Sequence, residues 1–156
     1  MKVLSVVGYS KAGKTTLIER IVPILKNKGL KILVVKHALD FEMDREGKDS
    51  WRIFNAGADV AIASKDKLAF VSRIGDDLDE ICSIFNFYDL IITEGFNRAC
   101  KDRIVVLRDP EEIENFRCGR ILAVVCDESV EGFRTFGFDR IEDLAEVILE
   151  WFYEGR

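Results

Sequence analysis

Residues 8–16 read "GYSKAGKTT". From Gly8 to Thr15 they fit the spacing Gly, any four residues, Gly-Lys-Thr, which is the phosphate-cradle pattern. The glycines let the backbone turn so that successive N–H groups converge on one point, where phosphate oxygens can accept them. Context agrees on both sides. "KVLSVV" before the loop is a short apolar run of strand type, and "KTTLIERIVPILKNKG" after it places Leu17, Ile18, Ile21, Ile24 and Leu25 at helical spacing. Gly29 is the expected stop signal and Pro23 predicts a kink inside the helix. A strand, a glycine turn and a helix N-terminus together make an anion site. The loop residues Gly8, Tyr9, Ser10, Lys11, Ala12, Gly13, Lys14, Thr15 and Thr16 are thus the expected nucleotide contacts. Lys14 supplies a point charge at the β- and γ-phosphates, Thr15 a hydroxyl for Mg²⁺, and Thr16 a contact to the α-phosphate. Lys11 lies closer to Lys14 than the extra lysine of dimerisation-dependent ATPases does, and reads as a solvated charge near the phosphates.

The alternation continues along the chain. "KILVVKH", "YDLIITEG", "RIVVLRD" and "GRILAVVCD" are strand-like, the third of these bounded by the loop "NRACKD". "KDSWRIFNAGA", with Asp49 or Ser50 as cap, "DDLDEICSIFN" and "DRIEDLAEVILEWFYEG" are helical, and "DPEEIENF" is a turn of helix opened by Pro110. "DVAIAS" and "KLAFVSR", with a short polar link, read as an antiparallel pair, and "ALDFEMDREG" as a mobile loop. The expectation is an α/β fold, with a mainly parallel sheet and some antiparallel strands, in one nucleotide-binding domain over residues 1–156.

The chain has 156 residues and a net charge of −5, which argues against a basic nucleic-acid surface. No apolar run approaches the roughly 18 residues of a membrane span. The start "MKVLSVVG" has neither the charge nor the apolar length of a signal peptide, so the expected location is the cytoplasm. The four cysteines, Cys82, Cys100, Cys118 and Cys126, include no C-x-x-C pair and are expected to be free thiols. The absence of Gln, together with abundant Glu, Lys and Arg, leans towards a thermophilic source.

A phosphate loop needs an acid beside the metal, and in open parallel sheets ligands gather outside the carboxyl ends of strands. Glu94 closes the buried strand "DLIITE" and is the expected metal-side carboxylate, with Gly95 allowing a sharp turn after it. Asp89, at the opposite end of that strand, is expected to pair locally. Lys36 and His37 end the second strand at the same edge. Asp44 and Asp49 flank a loop that could close over the nucleotide, and Asp49 is a further metal candidate. Asp127, at the end of "AVVCD", is placed to accept the two adjacent N–H donors of guanine. The N-K-x-D signature of common GTPases is absent, so these residues leave GTP and ATP both open. With no Gln in the chain and no convincing arginine finger, Lys14 and Glu94 are the catalytic candidates for slow hydrolysis. The same cradle also serves small-metabolite kinases, for which Asp49 or His37 could act as base. A GTP-driven metallochaperone would carry His- or Cys-rich tracts that this chain lacks.

The segments "GYSKAGKTTL", "VKH", "MDREGKDSWRIFNAGA", "DLIITEGF", "RIVVLRD", "AVVCD" and "EDLAEVILEW", in this order, resemble the molybdopterin-guanine dinucleotide biosynthesis protein B (MobB) family over nearly the whole chain. The resemblance implies a P-loop NTPase three-layer sandwich that binds GTP with Mg²⁺ and hydrolyses it weakly. It implies an accessory role beside the guanylyltransferase that joins GMP to molybdopterin, with molybdopterin itself a candidate ligand, and a homodimer. Family phosphate-loop roles fall on Gly8, Gly13, Lys14, Thr15 and Thr16, and the metal-side acid on Glu94. Two departures stand out. His37 is the single His where relatives often carry more, and Lys11 replaces a small residue.

Overall fold

The computed structural model describes residues 1–41 and 45–154; Asp44 and the centre of the predicted loop around it lie outside them. The apolar runs become strands β1 (Lys2–Val7), β2 (Ile32–Lys36), β3 (Val60–Ala63), β4 (Leu68–Val71), β5 (Leu90–Glu94), β6 (Arg103–Val106), β7 (Ile121–Val125) and β8 (Thr135–Phe136). The helices are α1 (Lys14–Asn27), α2 (Asp49–Asn55), α3 (Leu78–Ile84) and α4 (Ile141–Tyr153), with a 3-10 helix over Pro110–Phe116. The described chain divides into two units, one of Met1–His37 with Cys82–Arg156 and one of Ala38–Ile81.

In the first unit six strands pair in the order β2-β5-β1-β6-β7-β8, all parallel. From β1 the chain passes through α1 to β2 at one edge; β5 then enters beside β1, and β6 is laid down on its far side. Strand order reverses at β1, and at such a point the carboxyl ends of the strands open a crevice. Successive side chains of a strand face opposite sides, and here both sides are covered. Leu4 and Val6 pack with Leu17, Ile21 and Leu25 of α1 and with Leu144, Ile148 and Phe152 of α4. Val7, Val105 and Val124 turn the other way, onto Ile113 and Phe116 of the 3-10 helix and onto Val130. This double burial explains why the strand segments read as unbroken apolar runs. The buried hydroxyls of Ser5 and Thr93, in register on β1 and β5, satisfy each other at 2.9 Å. Gly8, directly after β1, has φ 149°, and a Cβ there would stand 2.2 Å from the carbonyl oxygen of Val106.

Helix α1 runs through Pro23 and ends where Gly29, at φ 88°, donates its N–H to the Lys26 carbonyl. β8 was not foreseen, because two residues are too few to show alternation. In the second unit β3 and β4 form the expected antiparallel pair, Ser72 donates to Asp59 at 2.8 Å, and the Arg73 guanidinium lies 3.7 Å from the Phe54 ring centroid. The cap of α2 differs from the prediction. Lys48 occupies the N-cap position and makes no side-chain cap bond, while Asp49 is the first helical residue, where its charge suits the helix dipole.

Arg103 on β6 is wholly buried. Its guanidinium donates to the carbonyls of Ala99 (2.8 Å), Lys101 (3.2 Å), Asn97 (3.4 Å) and Phe116 (3.4 Å), and burial lowers its pKa from the ordinary arginine value. The loop after β5 is thereby wrapped around a cation. Beside it Cys100 and Cys118 form a disulfide with Cα atoms 5.0 Å apart, so the expectation of free thiols holds only for the buried Cys82 and Cys126. Pairing depends on proximity in space, and a separation of 18 residues in sequence carries no sign of it. Among the described residues no helix is long and apolar enough to cross a membrane.

Denatured without reductant, the chain should therefore titrate as two thiols, and as four after reduction. Reduction should also cost about 3 kcal/mol of unfolding free energy in denaturant melts, since the bridge closes a loop of this length. Gly8→Ala should lower stability by about 2–4 kcal/mol by the same assay, because backbone strain and overlap with a backbone carbonyl act together.

Candidate functional site

The carboxyl edge of β1 opens into a cavity of about 630 Å³, formed entirely within the first unit. Gly8, Ser10, Lys11, Gly13 and Lys14 line it from the loop, with Thr15 and Thr16 from the first turn of α1. Lys36 and His37 enter from the end of β2, and Glu94, Gly95 and Asn97 from the end of β5. Most of the residues singled out in the sequence thus meet in one place.

Helix α1 begins in an unusual way. Its N-cap is Gly13, at φ 103°, which offers no side-chain acceptor, and its first turn holds no acidic residue. The first N–H groups of a helix have no internal partner, and most helices answer them with a Ser, Thr, Asp or Asn cap. Here they face the cavity unanswered by any side chain, with the positive end of the helix dipole behind them. At φ 103° Gly13 holds a conformation that other residues rarely adopt, and a Cβ there would stand 2.7 Å from the ring of Phe138 and force it to shift. The Lys14 ammonium lies across the loop and donates to the carbonyls of Gly8 (3.1 Å) and Tyr9 (2.7 Å).

The Thr15 hydroxyl donates to Glu94 Oε1 at 2.9 Å. The Lys36 ammonium stands 3.8 Å from the same oxygen, and the Glu94 side chain is only 12% exposed. Two hard oxygen donors this close, one a carboxylate, are of the kind that would hold a Mg²⁺ ion. The strand ends that carry these groups are tied together. The His37 N–H donates to the Glu94 carbonyl at 2.9 Å, and the Gly95 N–H to the Val6 carbonyl at 3.1 Å. Gly95 takes φ 89° to make the turn, and a Cβ there would press to 3.2 Å on the His37 Cβ. The His37 ring itself lies 4.9 Å from that of Phe96.

The other predicted residues fall elsewhere. Tyr9 packs its ring edge-on against Phe116 at 5.2 Å, and Ala12 is buried under the loop. Asp89 accepts the Lys31 N–H at 2.8 Å, the local pairing expected of it. Asp127 is exposed just past β7 at the same sheet edge, and does not line the cavity. Asp49 belongs to the second unit, where its carboxylate accepts the Ser50 N–H at 3.0 Å. Two contributors escaped the sequence reading. Asn97 follows the turn after Glu94 and could have been found by extending that strand end. Phe138, which closes over Gly13, carries no local signal. Among the described residues no group of three or more His, Cys, Asp or Glu side chains is arranged to hold a metal ion.

The profile of the family described as molybdopterin guanine dinucleotide synthesis protein B (MobB) matches residues 3–127. The putative molybdopterin-guanine dinucleotide biosynthesis adapter protein of Methanocaldococcus jannaschii is 41% identical over 120 residues, 71% of this chain and 49% of that protein, so the match spans about half the relative's length. The corresponding adapter protein of Haemophilus influenzae is 32% identical over 162 residues, covering 96% of this chain and 89% of its own. A crystal structure of molybdopterin-guanine biosynthesis protein B superposes with a TM-score of 0.86 at 53% identity, over 97% of this chain and 99% of that one. With the family profile matched over residues 3–127 and relatives similar over most of its length, the chain belongs to the molybdopterin guanine dinucleotide synthesis protein B family.

Proposed function

We propose that this protein is a GTP-binding adapter in the formation of molybdopterin guanine dinucleotide, holding the nucleotide with Mg²⁺ beside the guanylyltransferase of that pathway. The observation that carries this reading is the open start of α1, with Lys14 in the loop and the Thr15–Glu94 pair at its side. Those groups match a phosphate chain and its metal ion. The names of the relatives supply the pathway. Asp127 is assigned to guanine. It follows β7, which β6 alone separates from β1, so it stands about 10 Å along the sheet from the phosphate strand, a span a nucleoside can bridge. Thr16 is assigned to the α-phosphate, and Lys36 and His37 to the rim of the site.

Slow hydrolysis follows from what the cavity holds. Among the described residues none that lines it is an arginine, and the chain has no Gln to orient water. The protein works in the cytoplasm as a homodimer. Ile62, Leu68 and Phe70 on the β3–β4 hairpin and Ile53 on α2 are exposed apolar side chains that a second copy would cover. A small-metabolite kinase is the less favoured reading, since the named relatives are adapters.

Calorimetry with GTP, ATP and molybdopterin in the presence of Mg²⁺ tests the assignment. Lys14→Ala should weaken GTP binding by about 100-fold or more, as loss of a charge-assisted contact at the phosphates requires. Normal GTP binding by that variant would sink the site. Glu94→Gln should bind GTP like the parent in EDTA but lose most of the gain that Mg²⁺ brings. GTP turnover by the isolated protein should fall near or below about 10⁻² s⁻¹; a rate of about 1 s⁻¹ or faster would overturn the adapter reading.

A further inference from the structure

Lys11 is the one lysine of the cavity whose side chain the fold does not use. Lys14 is bound to loop carbonyls and Lys36 stands against Glu94. Lys11 lines the same cavity, is exposed, and has no hydrogen-bond, ion-pair or ring partner among the described residues. Its backbone is also out of the ordinary. With φ 63° it is one of only two described non-glycine residues in the left-handed region, the other being Phe96. A Cβ makes that conformation costly, and glycine would adopt it freely. The loop already uses glycine at Gly8 and Gly13 for such turns. Among the described residues the side chain makes no contact that offsets this strain, and its ammonium is left to the cavity that it lines.

Resting on the reading that this cavity holds a nucleotide, we infer that Lys11 is a phosphate-charge selector. Its ammonium adds to that of Lys14 and makes the cradle favour a triphosphate over a diphosphate. The physical basis is Coulombic. A cation held beside the phosphates gains more from the extra negative charge of the γ-phosphate than it loses by leaving water, because an exposed lysine keeps most of its hydration. The unpartnered state of Lys11 matters here, since no carboxylate must be displaced before the ammonium turns to the phosphates. The Lys11 share of the selectivity comes on top of that of Lys14 and is independent of the base.

The test compares Lys11→Gly, Lys11→Met and Lys11→Arg with the parent, titrating each with GTP and with GDP in the presence of Mg²⁺ at low and high salt. Lys11→Gly removes charge and strain, Lys11→Met removes charge and keeps the strain, and Lys11→Arg keeps both. The parent's preference for GTP over GDP should fall by about three- to tenfold in the Gly and Met variants and persist in Arg. High salt should shrink the preference in the parent and in Arg while leaving Gly and Met nearly unmoved. The thermal midpoint of Lys11→Gly should be no lower than that of the parent. An unchanged GTP-to-GDP ratio in Met and Gly overturns the inference and leaves nucleotide binding standing, as does loss of the preference in Arg. A parent that binds neither nucleotide overturns both readings together.

Discussion

The exposed N–H groups at the start of α1 are the feature around which the rest of the molecule is arranged. A helix capped by Gly in place of Ser, Thr, Asp or Asn gives up roughly a few tenths of a kcal/mol, which a firmly packed helix absorbs. Leu17, Ile18, Ile21 and Leu25 provide that packing against the sheet and α4, and all four are buried. The loop must also pass close to its neighbours to aim those groups at one point. Gly8 slips past the Val106 carbonyl, and Gly13 fits beneath Phe138. Two neighbours of the turn are thus constrained by it: β6 by the backbone contact at Gly8, and the segment after β8 by the ring over Gly13.

How much of this the sequence disclosed depends on the range of the interaction. The cradle was legible because its chemistry is local, with fixed residues at fixed spacing between a strand and a helix. The place of Glu94 in the cavity was legible because crevices open at the carboxyl ends of parallel strands, a rule that needs only the strand to be recognised. Arg103 was not legible. It sits at the head of an apolar strand and looks like a charged boundary, yet the carbonyls that accept from it come from Asn97, Ala99, Lys101 and Phe116, which only the folded loop brings together. The Cys100–Cys118 pairing and the contact of Phe138 with Gly13 were hidden for the same reason.

Arg103 and the disulfide act on one segment from two directions. The guanidinium draws the carbonyls of residues 97, 99 and 101 inward, and the bridge ties Cys100 to the turn after the 3-10 helix. A buried cation without a carboxylate partner is costly unless its donors are satisfied, and here backbone oxygens do that work. The segment so fixed is the one that leaves Glu94 and bears Asn97. Order on the Glu94 side of the cavity therefore rests on a core residue that is not part of its lining.

The bond from the His37 N–H to the Glu94 carbonyl has a consequence for how the chain can vary. His37 is the last residue of the first unit before the chain leaves for residues 38–81. The point of departure is thereby pinned to the strand that ends in Glu94, and the sheet on both sides of β1 is completed by residues outside the excursion. Lengthening or shortening such an excursion changes its closure entropy only slowly. The nucleotide-binding unit can thus host inserted segments of different size between β2 and α3 while its strand ends keep their register, as a socket accepts different fittings.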